Sequence, residues 1–190
     1  IVTVEDPVEF QIPGINQVPV KKEIGLTFAA ALRSILRQDP DIIMVGEIRD
    51  EETAEIAVEA ALTGHQVLST MHCNDAPGAI SRLDDMGIAP FLISSSVILS
   101  CAQRLMRRIC PACKDAVNYP PKIFEQLDLD PKTFQGVQLY KGHGCDRCKN
   151  SGYAGRCAII EVMTVTDDIR KLVIARASSS EIAKVAVSQG

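Results

Sequence analysis

The residues best suited to chemistry are acids, imidazoles and thiols placed at the ends of short apolar runs. Glu47 closes the run Ile42-Ile-Met-Val45 across Gly46, and an uninterrupted apolar stretch of that length suits a strand buried on both faces of a parallel sheet. A carboxylate at the mouth of such a strand can order a water and take its proton, as nucleotide hydrolysis requires. Taken alone, it is also what any loop acid after a strand looks like. Glu5, Asp6 and Glu9 follow an earlier run, Ile1-Val-Thr-Val4, and His65 and His72 bracket a third, Gln66 to Met71. Their odd interval puts the two imidazoles at opposite ends or faces of that strand, a poor arrangement for sharing one metal. His72, beside Thr70 at the carboxyl end, is placed to sense a phosphate or an attacking water, whereas His65 suits the positioning of a turn.

The thiols form a second constellation. Cys110-Pro-Ala-Cys113 and Cys145-Asp-Arg-Cys148 each offer two ligands, with 31 residues between the pairs. Four thiolates complete a tetrahedral Zn²⁺ site and leave no open position, so the metal expected here is structural. Redox-active or free thiols are the competing reading. Cys73, Cys101 and Cys157 show no pairing pattern and read as buried thiols. Seven cysteines, four of them in Cys-x-x-Cys pairs, fit metal ligation in a reducing cytoplasm better than a disulfide framework.

The elements that must position these groups can be read from periodicity and punctuation. Ile1 to Val4 reads as a strand, ended by Asp6-Pro7 and followed by a Pro/Gly-punctuated, hairpin-like excursion to Val20. Thr27 caps a helix running to Arg37, and Asp50 caps a second that stops at Gly64. Strand, helix, strand, helix, strand in this spacing predicts a parallel sheet covered by helices, with ligands bound beyond the carboxyl ends of the strands. Helices are expected over Asp75 to Met86 and Pro90 to Arg108, a strand over Ala158 to Val162, and two short closing helices, the last with a Ser178-x-x-Glu181 capping box.

The chain has 190 residues and a formal net charge of −4, enough for one main domain with a small appendage and without the basic excess of a nucleic-acid binder. Arg104, Arg107, Arg108 and Lys114 form a local basic run, read as a solvated helix face. No signal peptide opens the chain, and the start in mid-strand resembles a cut end. Ala89 to Gln103, the most membrane-like stretch, is too short to span a bilayer and is broken by Ser94 to Ser96, so it reads as a buried helix.

Taken together, TVEDPVEF, GLTFAAALRSILRQDPDIIMVGEIRDEETAEIAVEAALTGHQVLSTMHCNDA and CPAC…CDRC resemble the secretion ATPase superfamily, and within it the motor ATPases of type II secretion and type IV pilus assembly. The resemblance implies an α/β, RecA-like fold of the P-loop NTPase class, cut short at its N-terminus, with a tetracysteine zinc subdomain. It places a partial ATPase core at 1–108, the zinc subdomain at 109–157 and a helical subdomain at 158–190. Glu5, Asp6 and Glu9 fall in the family's aspartate box, associated with nucleotide and Mg²⁺; Glu47 falls in the Walker B segment as catalytic acid, and His65 and His72 fall in the histidine box. Cys110, Cys113, Cys145 and Cys148 match the zinc ligands of assembly and secretion members, which retraction motors generally lack. The parent protein is then a homo-hexamer using ATP and Mg²⁺ on the cytoplasmic face of the inner membrane, in contact with a platform protein and associated cytoplasmic subunits, and binding no nucleic acid.

Two departures stand beside the match. Gly46 occupies the place where many P-loop enzymes carry a Mg²⁺-holding Asp, and no G-x-x-x-x-G-K-[ST] loop occurs in these residues. The isolated piece is therefore expected to be inactive, and its alternative reading is a zinc-stapled interaction module that does no chemistry by itself.

Overall fold

A computed structural model describes residues 1–127 and 129–190. Its contacts divide the chain into two units, Ile1–Ala102 with Glu161–Gly190, and Gln103–Ile160.

The first unit is built on four parallel strands, β1 (Val2–Glu5), β2 (Asn16–Pro19), β3 (Ile42–Val45) and β4 (Gln66–Ser69), in the order β2-β1-β3-β4. Val4, Ile43 and Val45 are fully buried, which explains why β1 and β3 read as continuous apolar runs. Between β2 and β3 lies α1 (Phe28–Leu36), and between β3 and β4 lies α2 (Glu51–Leu62). Phe28, Leu32 and Ile35 of α1 and Ile56, Ala57 and Ala60 of α2 pack into the same core. Both helices start where a side chain satisfies an otherwise open N–H: Thr27 Oγ1 accepts from Ala30 N at 3.2 Å and Asp50 Oδ1 from Thr53 N at 2.8 Å. Helix α3 (Ala76–Asp85) is capped in the same way, Asp75 Oδ1 accepting from Gly78 N at 2.7 Å.

The segment to Val20 is not a hairpin. β2 lies alongside β1 in parallel, Thr3 opposite Gln17 and Glu5 opposite Pro19. The loop from Asp6 to Ile15 carries the chain back to the start of the sheet, so turn residues that suggested a reversal serve a crossover instead.

The long helix expected over Pro90 to Arg108 is also corrected. Helix α4 covers only Pro90–Ser96, and β5 (Leu99–Ile109) begins three residues later. Ser94, Ser95 and Ser96 each donate to a carbonyl of Phe91 or Leu92 at 2.7–3.0 Å; such back-bonding weakens a helix, and the β-branched Val97-Ile98 then favours extension. Ala89 to Gln103 is thus not a buried helix, and Leu99 is half exposed. The arginines at 104, 107 and 108 lie on a strand.

β5 pairs with β8 (Tyr153–Thr164) in a two-stranded sheet. The first unit closes with α6 (Asp167–Ile174) and α7 (Ser179–Gln189), whose Ile169, Val173 and Ile182 join the main core. The Ser178/Glu181 capping box is present.

Within the second unit, β6 (Lys114–Val117) and β7 (Leu139–Gly142) form an antiparallel pair, with α5 (Pro121–Gln126) in the connection between them. Phe124 and Phe134 stack at 4.9 Å between ring centres.

Candidate active site and cysteine centre

Because all four strands run the same way, their carboxyl ends share one edge. The register sets Val4 level with Val45 and Val45 level with Ser69, so the residues following β1, β3 and β4 emerge side by side. His72 Nε2 lies 2.8 Å from Glu47 Oε1. Arg49 Nε donates to Glu47 Oε2 at 2.6 Å. The Glu47 side chain is only 14% exposed while that of His72 is 90% exposed, so the acid is held in place and the imidazole sits over it, open to solvent. Oε1 is itself shut from water and receives no aligned hydrogen bond; its link to His72 is a close approach rather than a directed bond. Beneath them, Thr70 Oγ1 donates to Gly46 O at 2.6 Å, Ser69 Oγ to Val45 O at 2.9 Å, and Ile48 N to Thr70 O at 3.0 Å. These bonds pin the ends of β3 and β4 to each other.

Gly46 is where the sheet leaves no space. A Cβ there would lie 3.0 Å from Val4 O and 3.3 Å from Glu5 Cα, tighter than ordinary van der Waals separation. The same closeness brings the backbone of Glu5 to the Glu47 end of β3. Thr3 Oγ1 and Gln17 Nε2 both donate to Glu5 Oε1, at 2.5 and 2.9 Å. Asp6 Oδ2 is 3.3 Å from Lys22 Nζ, and Glu9 is exposed in the loop that follows.

His65 is not part of this group. It sits at the other end of β4, where its Nδ1 is 3.0 Å from Ala60 O and 3.2 Å from Thr63 Oγ1. A carbonyl only accepts, so this nitrogen carries the proton, and the ring ties the end of α2 to the start of β4. Arg49, Thr70, Thr3 and Gln17 are site residues that spacing alone did not single out. An arginine two positions past a buried acid was the one available signal.

In the second unit the four expected cysteines converge, their sulfurs all within 4.8 Å of one another. Cys110 and Cys145 Sγ are 4.0 Å apart, and Cys113–Cys148 and Cys145–Cys148 are each 3.8 Å apart. Burial pushes the Cys113 thiol up to about 12. Burial acts in the same direction on Cys148 but is outweighed there, because Cys145 N and Gly152 N donate to its sulfur at 3.2 and 3.3 Å and draw it down to about 6. A backbone that donates twice to one sulfur is already arranged for a thiolate. Gly142 and Gly152 face each other so closely that a Cβ on Gly142 would stand 2.1 Å from Gly152 O. That approach lets the bend just before β8 bring Gly152 N to the Cys148 sulfur. The cluster could hold one metal ion. Cys73 is partly buried, while Cys101 and Cys157 are exposed rather than buried.

A family profile described as Type II/IV secretion system protein matches residues 1–190. The chain belongs to this family. Among curated members, the type IV pilus assembly ATPase PilB of Thermus thermophilus is 56% identical over 99% of this chain and 21% of its own length. The PilB of Myxococcus xanthus is 56% identical over 100% of the chain and 34% of its own length. The type II secretion system protein E of Pseudomonas aeruginosa is 50% identical over 100% of the chain and 38% of its own length. This family member therefore spans between a fifth and two fifths of the curated relatives it matches. Among solved structures, the pilus retraction motor PilT with bound ADP superposes with a TM-score of 0.65 at 27% identity, over 100% of this chain and 44% of that one. The Legionella pneumophila ATPase DotB, at 23% identity and TM-score 0.59, shares the fold. No helix among the described residues is long and apolar enough to cross a membrane.

Proposed function

We propose that this chain is the acidic half of the catalytic domain of a hexameric ATPase that powers type IV pilus assembly or type II protein secretion. The observation that carries the reading is the Glu47–His72 contact of 2.8 Å at the carboxyl edge of a parallel sheet, in a family whose members here include named pilus and secretion ATPases.

The carboxylates fit the substrate's needs. Glu47, shielded from water and oriented by Arg49, accepts the proton of the water that attacks the terminal phosphate of ATP. His72, exposed on the same edge, donates from its ring to the phosphate or to that water and can leave Glu47 when substrate arrives. Glu5 and Asp6 supply the acidic wall against which Mg²⁺ would be held, and Mg²⁺ when bound neutralises phosphate charge. Glu9 belongs to the same loop as their more exposed companion. His65, at the opposite end of β4, is given the positioning of the α2–β4 turn and no contact with this site. These 190 residues contain no Walker A sequence, so the cradle for the β- and γ-phosphates is not among them, and this segment by itself is proposed to bind nucleotide weakly and turn it over little.

The ion of the cysteine centre is proposed to be Zn²⁺. Zn–S bonds of about 2.3 Å in a tetrahedron separate the sulfurs by about 3.8 Å; three of the six separations are 3.8 to 4.0 Å and all six lie within 4.8 Å. With four thiolates the ion's role is structural. The parent motor is proposed to work at the cytoplasmic side of the inner membrane, against a platform protein and associated cytoplasmic subunits, and without nucleic acid.

The test is ATP hydrolysis by the full-length protein beside its Glu47→Gln variant. Turnover should fall at least about 100-fold, the range expected for loss of a general base; an unchanged rate would remove the mechanism.

A further inference from the structure

The His72 side chain stands almost wholly in solvent, so its own packing does little to decide where it points, and the backbone on either side must do so. On the sheet side Thr70 is tied to the end of β3 through Gly46 O and Ile48 N, at 2.6 and 3.0 Å. On the helix side the tie falls on Ala76, the first residue of α3, which is fully buried. Its N–H is one of the amides that a helix start leaves without an intrahelical partner; it donates to Glu161 Oε2 at 3.1 Å, and the Ala76 carbonyl accepts from Ser100 Oγ at 2.8 Å. Glu161 comes from β8 and Ser100 from β5, so one residue is gripped at both of its backbone polar groups by side chains remote in sequence. Ser100 is buried, and so is Met163, two residues beyond Glu161, which sets Glu161 on the inward side of β8. Between the two ties the loop is short and tightened further: Cys73 N donates to Met71 O at 3.1 Å, and Asp75 caps α3.

We infer that Glu161 and Ser100 are positioning residues that clamp the start of α3 and thereby fix the loop from which His72 reaches Glu47. The inference rests on the ATPase reading above and deepens it, because it names what secures an imidazole that has no buried packing of its own. Both clamp residues belong to the same unit as Glu47 and His72. The carboxylate also meets the positive end of the α3 dipole, so the grip needs no cation. A reacting group displaced by about 1 Å can cost on the order of 100-fold in rate, which gives a remote clamp its leverage.

The experiment compares the full-length protein with its Glu161→Met, Glu161→Gln and Ser100→Ala variants in two measurements, amide exchange without nucleotide and steady-state ATP hydrolysis. Glu161→Met removes the acceptor and Ser100→Ala the donor; each should speed exchange across 73–78 and lower kcat by about tenfold or more, with KM little changed. Glu161→Gln keeps an accepting oxygen and should recover most of both losses. In a His72→Ala background neither change should lower kcat further, since the group that the clamp places is already gone. Faster exchange with wild-type kcat means that the clamp only braces α3, and overturns the inference. A full additional loss on top of His72→Ala overturns it as well, because the clamp then acts through some other group. Wild-type values in both measurements, with Glu47→Gln inactive, sink the clamp and leave the ATPase reading intact. A Glu47→Gln protein that retains full turnover defeats that reading and this one with it.

Discussion

At Gly46 the chain has room for a hydrogen and nothing larger, because β1 passes directly against it. An aspartate there would crowd Val4 O with its Cβ at 3.0 Å, and in this sheet the acid stands one residue later, at Glu47. Gly46→Ala should destabilise the protein by about 1–3 kcal/mol, the usual cost of forcing a methyl into filled space, measurable by chemical denaturation with little change in m-value. His72→Ala removes the exposed partner of Glu47 without opening the core, so turnover should drop while the thermal midpoint stays within a degree or two, as for other surface changes. Glu47 and His72 were legible in the sequence because each ends an apolar run, and in a parallel sheet all such ends meet. Arg49, Thr70 and Gln17 were not, because their roles depend on which rotamer reaches which neighbour, and spacing carries no record of that.

At the scale of elements, the first unit was legible wherever a cap coincided with a change of period. Thr27, Asp50 and Ser178 were each found at a helix start with the side chain bonded as expected, and Asp75 caps α3 in the same way. Asp50→Ala should cost about 1 kcal/mol through the frayed first turn of α2, read as a lowered denaturant midpoint. Glu181 gives a pH-dependent case. Hydrogen bonds from the Ser178 hydroxyl and backbone N–H hold its carboxyl below the ordinary 4.5, so it contributes stability that is complete above 4.5 and vanishes as pH falls through the lowered value. Glu181→Gln should therefore flatten the acid limb of the thermal midpoint against pH and leave the neutral region nearly parallel to wild type. β2 and β5 escaped sequence reading for opposite reasons. β2 was hidden by prolines and a glycine that suggested reversal, although its ladder forms at the edge of the sheet, where proline is tolerated. β5 was hidden by an apolar pattern equally compatible with a helix, against which stood the three serines turning back on the Phe91 and Leu92 carbonyls.

Over the whole molecule, the cysteine centre organises a unit with little other core: its buried cluster consists of Cys110, Cys113 and Cys148, with Cys145 and Ala154 against them. Metal binding should accordingly supply much of its folding free energy. Elemental analysis of protein purified without chelator should find one zinc per chain. Chelation, or Cys→Ser at any of the four positions, should open residues 103–160 to proteolysis and amide exchange while the segment 1–102 keeps its protection. Protein that carries no metal and still resists protease across 103–160 would remove the structural role assigned to the ion.

The second unit leaves the chain from β5 and returns by β8, and these two strands are neighbours; near their outer ends Val165 N donates to Ile98 O at 3.0 Å. A departure and a return that lie together can be joined by a tight turn. Losing the thiolate-bound appendix would then take a single deletion, sparing the scaffold that bears Glu47 any rerouting, and acquiring it would take a single insertion. A structural ion, as proposed for the cysteine centre, is on this layout a separable trait, removable with its unit without rerouting the edge that bears Glu47.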